Sequence, residues 1–100
     1  RGLGDVYKRQ VIRKITTGTA SVNLPSIAAG ATGSATFTVT GAATTDAILV
    51  NPPALTSGLA FAGAAITAAN TVTVYALNAT AGAIDEAAAT YRYVWFDLTA

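Results

Sequence analysis

The sequence predicts an all-β fold, a single small antiparallel β-sandwich of about 6–8 short strands. Three observations predict it. In several runs, such as Ser34-Ala35-Thr36-Phe37-Thr38-Val39-Thr40, apolar and hydroxyl residues alternate, which is the period of a strand with one face buried and one wet. Between these runs lie segments punctuated by Gly, Pro, Ser, Thr or Asp, among them Pro25 to Gly30 and Gly41 to Asp46, where the chain has to turn. Finally, no stretch carries the apolar spacing of a long amphipathic helix.

The first ten residues stand apart. Arg1-Gly2-Leu3-Gly4-Asp5-Val6-Tyr7-Lys8-Arg9-Gln10 resembles, residue for residue, the translation of a transposon-end sequencing adapter. Residues 1–10 are therefore expected to be an artefactual adapter-derived segment, and residues 11–100 to be the domain. On that reading the gene was cut on its 5′ side, in an environmental assembly, and native sequence is missing upstream. The charge changes sign with it. Arg1, Lys8 and Arg9 against Asp5 give the segment +2, so the whole-chain +1 becomes −1 for the domain, and no basic footprint for nucleic acid remains.

Val11 to Thr16 reads as a first strand, with Arg13 and Lys14 interrupting a one-sided pattern. Ala20-Ser21-Val22-Asn23-Leu24 alternates again and places Val22 and Leu24 on one face. After the Phe37 run comes Ala47-Ile48-Leu49-Val50-Asn51, apolar on both faces and stopped by Pro52-Pro53, which cannot donate to a ladder. Apolar on both faces implies a central strand or one covered by a neighbour. Leu59 to Gly63 is a short strand anchored by Phe61. Asn70 to Leu77 alternates most cleanly: Val72, Val74 and Ala76 face one way, Thr71, Thr73 and Tyr75 the other. Ala83 to Ala89 has the composition of a short helical turn, marginal by itself at that length. The last run, Thr90 to Leu98, sets Tyr91, Tyr93 and Trp95 against Val94, Phe96 and Leu98, so it needs cover on both sides. One side is the core; the other is a second sheet or a neighbouring subunit. An immunoglobulin-like or jelly-roll-like sandwich accommodates these elements.

Composition limits the chemistry. The chain has no cysteine and no histidine, which removes disulfides, thiolate chemistry, the usual general base and the commonest metal ligand. Half the residues count as hydrophobic, yet many are alanine, so each buries little area and the domain should lean on partners. Ala54 to Ala69 is too short and too interrupted by Thr56, Ser57, Gly58 and Gly63 for a membrane span, which takes about 20 apolar residues. Asp85-Glu86, the only adjacent acids, reads as a solvated turn, since neighbours in sequence point apart. Asp46 and Asp97, at strand ends, suit turn capping. Ser21, Ser26, Ser34 and Ser57 lack a base partner. Gly30 and Gly33 are turn glycines with no phosphate-loop lysine after them. Asn78-Ala79-Thr80 matches the N-glycosylation pattern, a weak three-residue match. Tyr75, Tyr91, Tyr93 and Trp95 could form an aromatic platform, though core packing explains most of them better. No catalytic, cofactor-binding or metal-binding residue is expected, and no cofactor. The candidate interface is Tyr91, Tyr93, Val94, Trp95 and Phe96.

The patches Asn23-Leu24-Pro25-Ser26-Ile27-Ala28-Ala29-Gly30, Gly41 to Asp46, Ile48 to Pro53, Leu59, Ala68 to Val74, Asn78 and Ala83-Ile84-Asp85 together resemble a recurrent small β-domain of tailed-phage virion proteins. Such domains occur in tail-fibre, head-fibre and capsid-decoration proteins. The resemblance spans residues 20–95 and departs at Glu86, where proline is expected, and in the aromatic-rich Tyr91 to Phe96. It implies a non-enzymatic structural role in the phage capsid or tail, with homo-oligomers such as trimers and other virion proteins as partners. It carries over no site residues. The second expectation is a carbohydrate-binding or adhesive immunoglobulin-like domain of a bacterial surface or filament protein, with a glycan as partner. Neither reading involves nucleic acid or a membrane.

Overall fold

A computed structural model describes residues 11–99. The expected adapter segment, residues 1–10, lies outside them. Six strands form: β1 (Val11–Val22), β2 (Thr32–Thr38), β3 (Ala47–Asn51), β4 (Leu59–Ala68), β5 (Thr71–Asn78) and β6 (Ala89–Thr99). They make two three-stranded antiparallel sheets, ordered β1-β6-β3 and β2-β5-β4. The fold is thus the small β-sandwich the sequence predicts, with no helix among the described residues.

The two sheets pack on the residues that alternation selects. Val72, Val74 and Ala76 of β5 are fully buried, and Tyr91 and Trp95 of β6 face them from the other sheet. Val22, Leu24, Ile27, Phe37, Val39, Ala42, Val50, Leu59 and Ile66 complete the core. β1 comes close to β2, and β3 to β4, at the two sides of the sandwich. Only β4 and β5 are joined by a hairpin; every other connection crosses between sheets. The hairpin turns at Ala69-Asn70, where Asn70 adopts φ 64°, a left-handed conformation that asparagine tolerates better than most residues. Its side chain and its backbone carbonyl tie the turn to the β2–β3 crossover: Gly41 N donates to Asn70 Oδ1 at 2.7 Å and Val39 N to Asn70 O at 2.9 Å.

Four expectations are corrected. The two strands expected at Val11 to Thr16 and Ala20 to Leu24 are one, β1, running through Thr17-Gly18-Thr19 and ending at Val22. Gly18 pairs with Tyr93, whose hydroxyl lies 2.5 Å from where a Cβ on Gly18 would sit. An aromatic ring from β6 fills the space of the missing side chain, which lets a glycine continue the strand. The second correction concerns β4, which continues past Gly63 to Ala68. Its register shifts between Phe61 and Gly63 and between Ile66 and Ala68, so two bulges carry the alanine-rich run onward. Third, Ala83 to Ala89 forms no helical turn. Ile84 instead bridges Ile27, with N···O distances of 2.8 and 3.0 Å in the two directions, and a two-way backbone bridge beside the buried Ile27 outweighs so short a helix. Last, β3 is not central. It is an edge strand whose Leu49 is 63% exposed, and nothing among the described residues covers it.

Candidate interaction surface

The closing strand β6 lies at the centre of its sheet, so its two side-chain rows have different fates. Tyr91 (1% exposed) and Trp95 are in the core and Tyr93 is half-buried, its ring centroid 5.6 Å from that of Phe37. Val94 and Phe96 point the other way. The candidate interface is therefore divided: Val94 and Phe96 belong to the outer face, whereas Tyr91, Tyr93 and Trp95 are packing residues. Tyr75 is on the outer face of the opposite sheet, so no aromatic platform assembles.

Cross-strand register defines the outer face row by row. Ile15, Phe96 and Ala47 form one row across the sheet; Thr17, Val94 and Leu49 form the next; Thr19, Arg92 and Asn51 form the third. Leu98 extends it beyond Phe96. Ile15 is 57% exposed and Leu49 63%, while Val94, Phe96 and Leu98 are half-buried. One end is thus apolar, and the other carries a hydroxyl, a guanidinium and an amide. A shallow depression of about 420 Å³ lies over Val94 and Arg92 between Leu49 and Thr17. A second, of about 260 Å³, adjoins it beside Pro52, Pro53 and Thr90. The face is an apolar patch rimmed by polar groups, one of the forms that interaction surfaces take.

Hydrogen bonds fix how that face is presented. Trp95 Nε1 donates to Asp46 Oδ2 at 2.9 Å, Ala43 N donates to the same oxygen at 3.1 Å, and Leu98 N donates to Asp46 Oδ1 at 3.1 Å. Burial alone would raise the Asp46 carboxyl, but these three donors outweigh it and hold the group below its ordinary value. Asp46 caps its own turn and also clamps β6 to the start of β3. The sequence places Asp46 at a turn and gives no sign of the indole, 49 residues away.

The other polar candidates are occupied in structural work. Asn78 is fully buried. Its Nδ2 donates to Ile27 O and Gly82 O, both at 2.8 Å, and its Oδ1 accepts from Thr80 N at 2.9 Å and Thr80 Oγ1 at 2.6 Å. The glycosylation-like triplet is a buried turn lock, with its amide nitrogen unavailable in the folded chain. Glu86 Oε1 accepts from the backbone and hydroxyl of Thr56, whereas Asp85 is exposed. Tyr91 Oη is buried without a hydrogen-bond partner among the described residues, and burial, followed by the charge of Glu86, pushes its pKa up. Ser21, Ser26, Ser34 and Ser57 are exposed, and no three acidic side chains converge among the described residues. What this arrangement offers is contact area. No protein family, curated protein or solved structure matches the chain in comparison with known proteins.

Proposed function

We propose that this domain is a non-enzymatic structural component of a phage virion, of the capsid-decoration, head-fibre or tail-fibre type, acting by contacts with copies of itself and with other virion proteins. The observation that carries the self-association is the outer face of β1-β6-β3, where Ile15 and Leu49 are more than half exposed beside Val94, Phe96 and Leu98. A domain built largely from alanine and threonine gains more from covering such a face than a large-cored one does. The resemblance of residues 20–95 to phage virion β-domains supports the assignment to a particle. The glycan-binding alternative loses its motivation, since Tyr91 and Trp95 are in the core.

Light scattering on the full chain tests the association. A mass above that of one chain is expected, and Ile15→Glu combined with Val94→Glu should return it to a monomer that keeps its β circular dichroism. A wild-type monomer at every concentration overturns the proposal. The virion assignment is tested by the genes around the intact gene: terminase and portal genes support it, and secretion or pilus genes overturn it.

A further inference from the structure

Four strands end the two sheets, and three of them are guarded against pairing with another chain. β1 shifts register between Ile12 and Lys14 and exposes the Lys14 cation. β4 has two register shifts and Gly63 at φ 141°. β2, Thr32-Gly33-Ser34-Ala35-Thr36-Phe37-Thr38, presents only hydroxyls on its outer row. Bulges, charges and polar residues are how edges are normally kept from associating. β3 has no bulge and no charge, and its one polar residue is Asn51 at its end. Ala47-Ile48-Leu49-Val50-Asn51 pairs with β6 in unbroken register, contains no charge, glycine or proline, and leaves Leu49 63% exposed.

We propose that β3 pairs antiparallel with β3 of a second copy of this chain, about a two-fold axis through Leu49, joining two β1-β6-β3 sheets into one of six strands. This deepens the self-association reading above and rests on it. Such a pairing keeps the two faces in step. With Leu49 opposite Leu49 of the second copy, Ile48 falls opposite Val50 and Ala47 opposite Asn51, so inward residues meet inward ones and outward residues meet outward ones. A slip by one residue would set an outward row beside an inward one. With no charge in the strand, two identical copies meet no like-charge repulsion. Pro52 follows Asn51 and has no amide to donate, so the ladder stops after five residues. The apolar rows of the two outer faces then run together through the paired Leu49 side chains. A five-residue ladder, about 17 Å long, buries much less than the roughly 1,600 Å² of a standard stable interface, so the pair should be weak and depend on concentration.

Because the chain has no cysteine, Leu49→Cys introduces a single thiol. Directly opposed residues of an antiparallel pair have Cα atoms about 4.5–5.5 Å apart, within disulfide range. Under mild oxidation the full-length Leu49→Cys variant should become a covalent dimer, much faster than Thr17→Cys, which is exposed on the same face but on β1. In sedimentation, Leu49→Lys, which sets two ammonium groups opposite each other, should weaken the dimer about tenfold or more and keep the fold, since Leu49 is exposed. A wild-type oligomer in which Leu49→Cys cross-links no faster than Thr17→Cys overturns the edge pairing and leaves face-to-face association standing. A trimer overturns it as well, because a three-fold axis cannot set Leu49 against itself. A monomer under all conditions overturns both readings.

Discussion

Asp46 joins its own turn to the distant strand β6, accepting from Ala43, Trp95 and Leu98 at once. Its carboxylate is held below the ordinary value of 3.8. A lowered folded pKa contributes stability that is present above the unfolded value and lost as pH falls through the folded one. The protein should therefore lose stability on acidification below about pH 4, and Asp46→Asn, already weaker at neutral pH, should show a shallower acid loss. Urea titrations at a series of pH values, followed by Trp95 fluorescence, measure this; parallel acid profiles for the two proteins would assign the clamp no role. The buried, unpartnered Tyr91 hydroxyl has the opposite sign. Its raised pKa means stability is fully present below the ordinary value and falls as pH rises above it. Tyr91→Phe removes a buried group that forms no bond, so it should stabilise the domain by about 1 kcal/mol and move alkaline unfolding to higher pH. A loss of stability in Tyr91→Phe would show that the hydroxyl is satisfied.

At the scale of elements, the strands most visible in the sequence are those whose burial follows from local alternation alone. β5 is the clearest, since Val72, Val74 and Ala76 are buried and Tyr75 and Leu77 are outside; only the burial of Thr73, whose hydroxyl bonds that of Thr67 on β4, departs from the alternation. The division of β6 into a row of Tyr91, Tyr93 and Trp95 and a row of Val94, Phe96 and Leu98 was legible for the same reason. β1 could not be seen whole because the residue that carries the strand across Gly18 is Tyr93, 75 positions later. The edge position of β3 was hidden because Ile48 and Val50 satisfy the core whether or not Leu49 is covered. Asn78 resembled an acceptor for sugar because a triplet pattern says nothing of Ile27 and Gly82, which its amide binds. Gly18 offers a direct test of the strand it sits in. Gly18→Val would place a branched side chain where the Tyr93 ring now lies and should cost about 1–3 kcal/mol, read in denaturant unfolding. A cost no greater than that of Thr17→Val would mean that Tyr93 moves aside freely.

For the whole molecule, the most consequential feature is the order in which the strands are connected. One hairpin, β4–β5, is local, and every other strand pair joins segments that the chain must bring back from a distance. Closing such loops costs entropy before any contact repays it, so the domain should fold slowly for its size, in milliseconds to seconds. The Ala69-Asn70 corner is then the natural place for folding to begin. Asn70→Ala, which strains the left-handed residue and deletes the bond to Gly41, should slow refolding, whereas Thr16→Ala in β1 should mainly speed unfolding. Stopped-flow chevrons separate the two limbs, and a change confined to the unfolding limb of Asn70→Ala would place the nucleus elsewhere. A chain that assembles late spends longer with β3 uncovered, before β6 arrives to pair with it. The apolar strip that joins two finished copies in our proposal is also the strip through which unfinished copies would stick together, so yield on refolding should fall as the starting concentration rises.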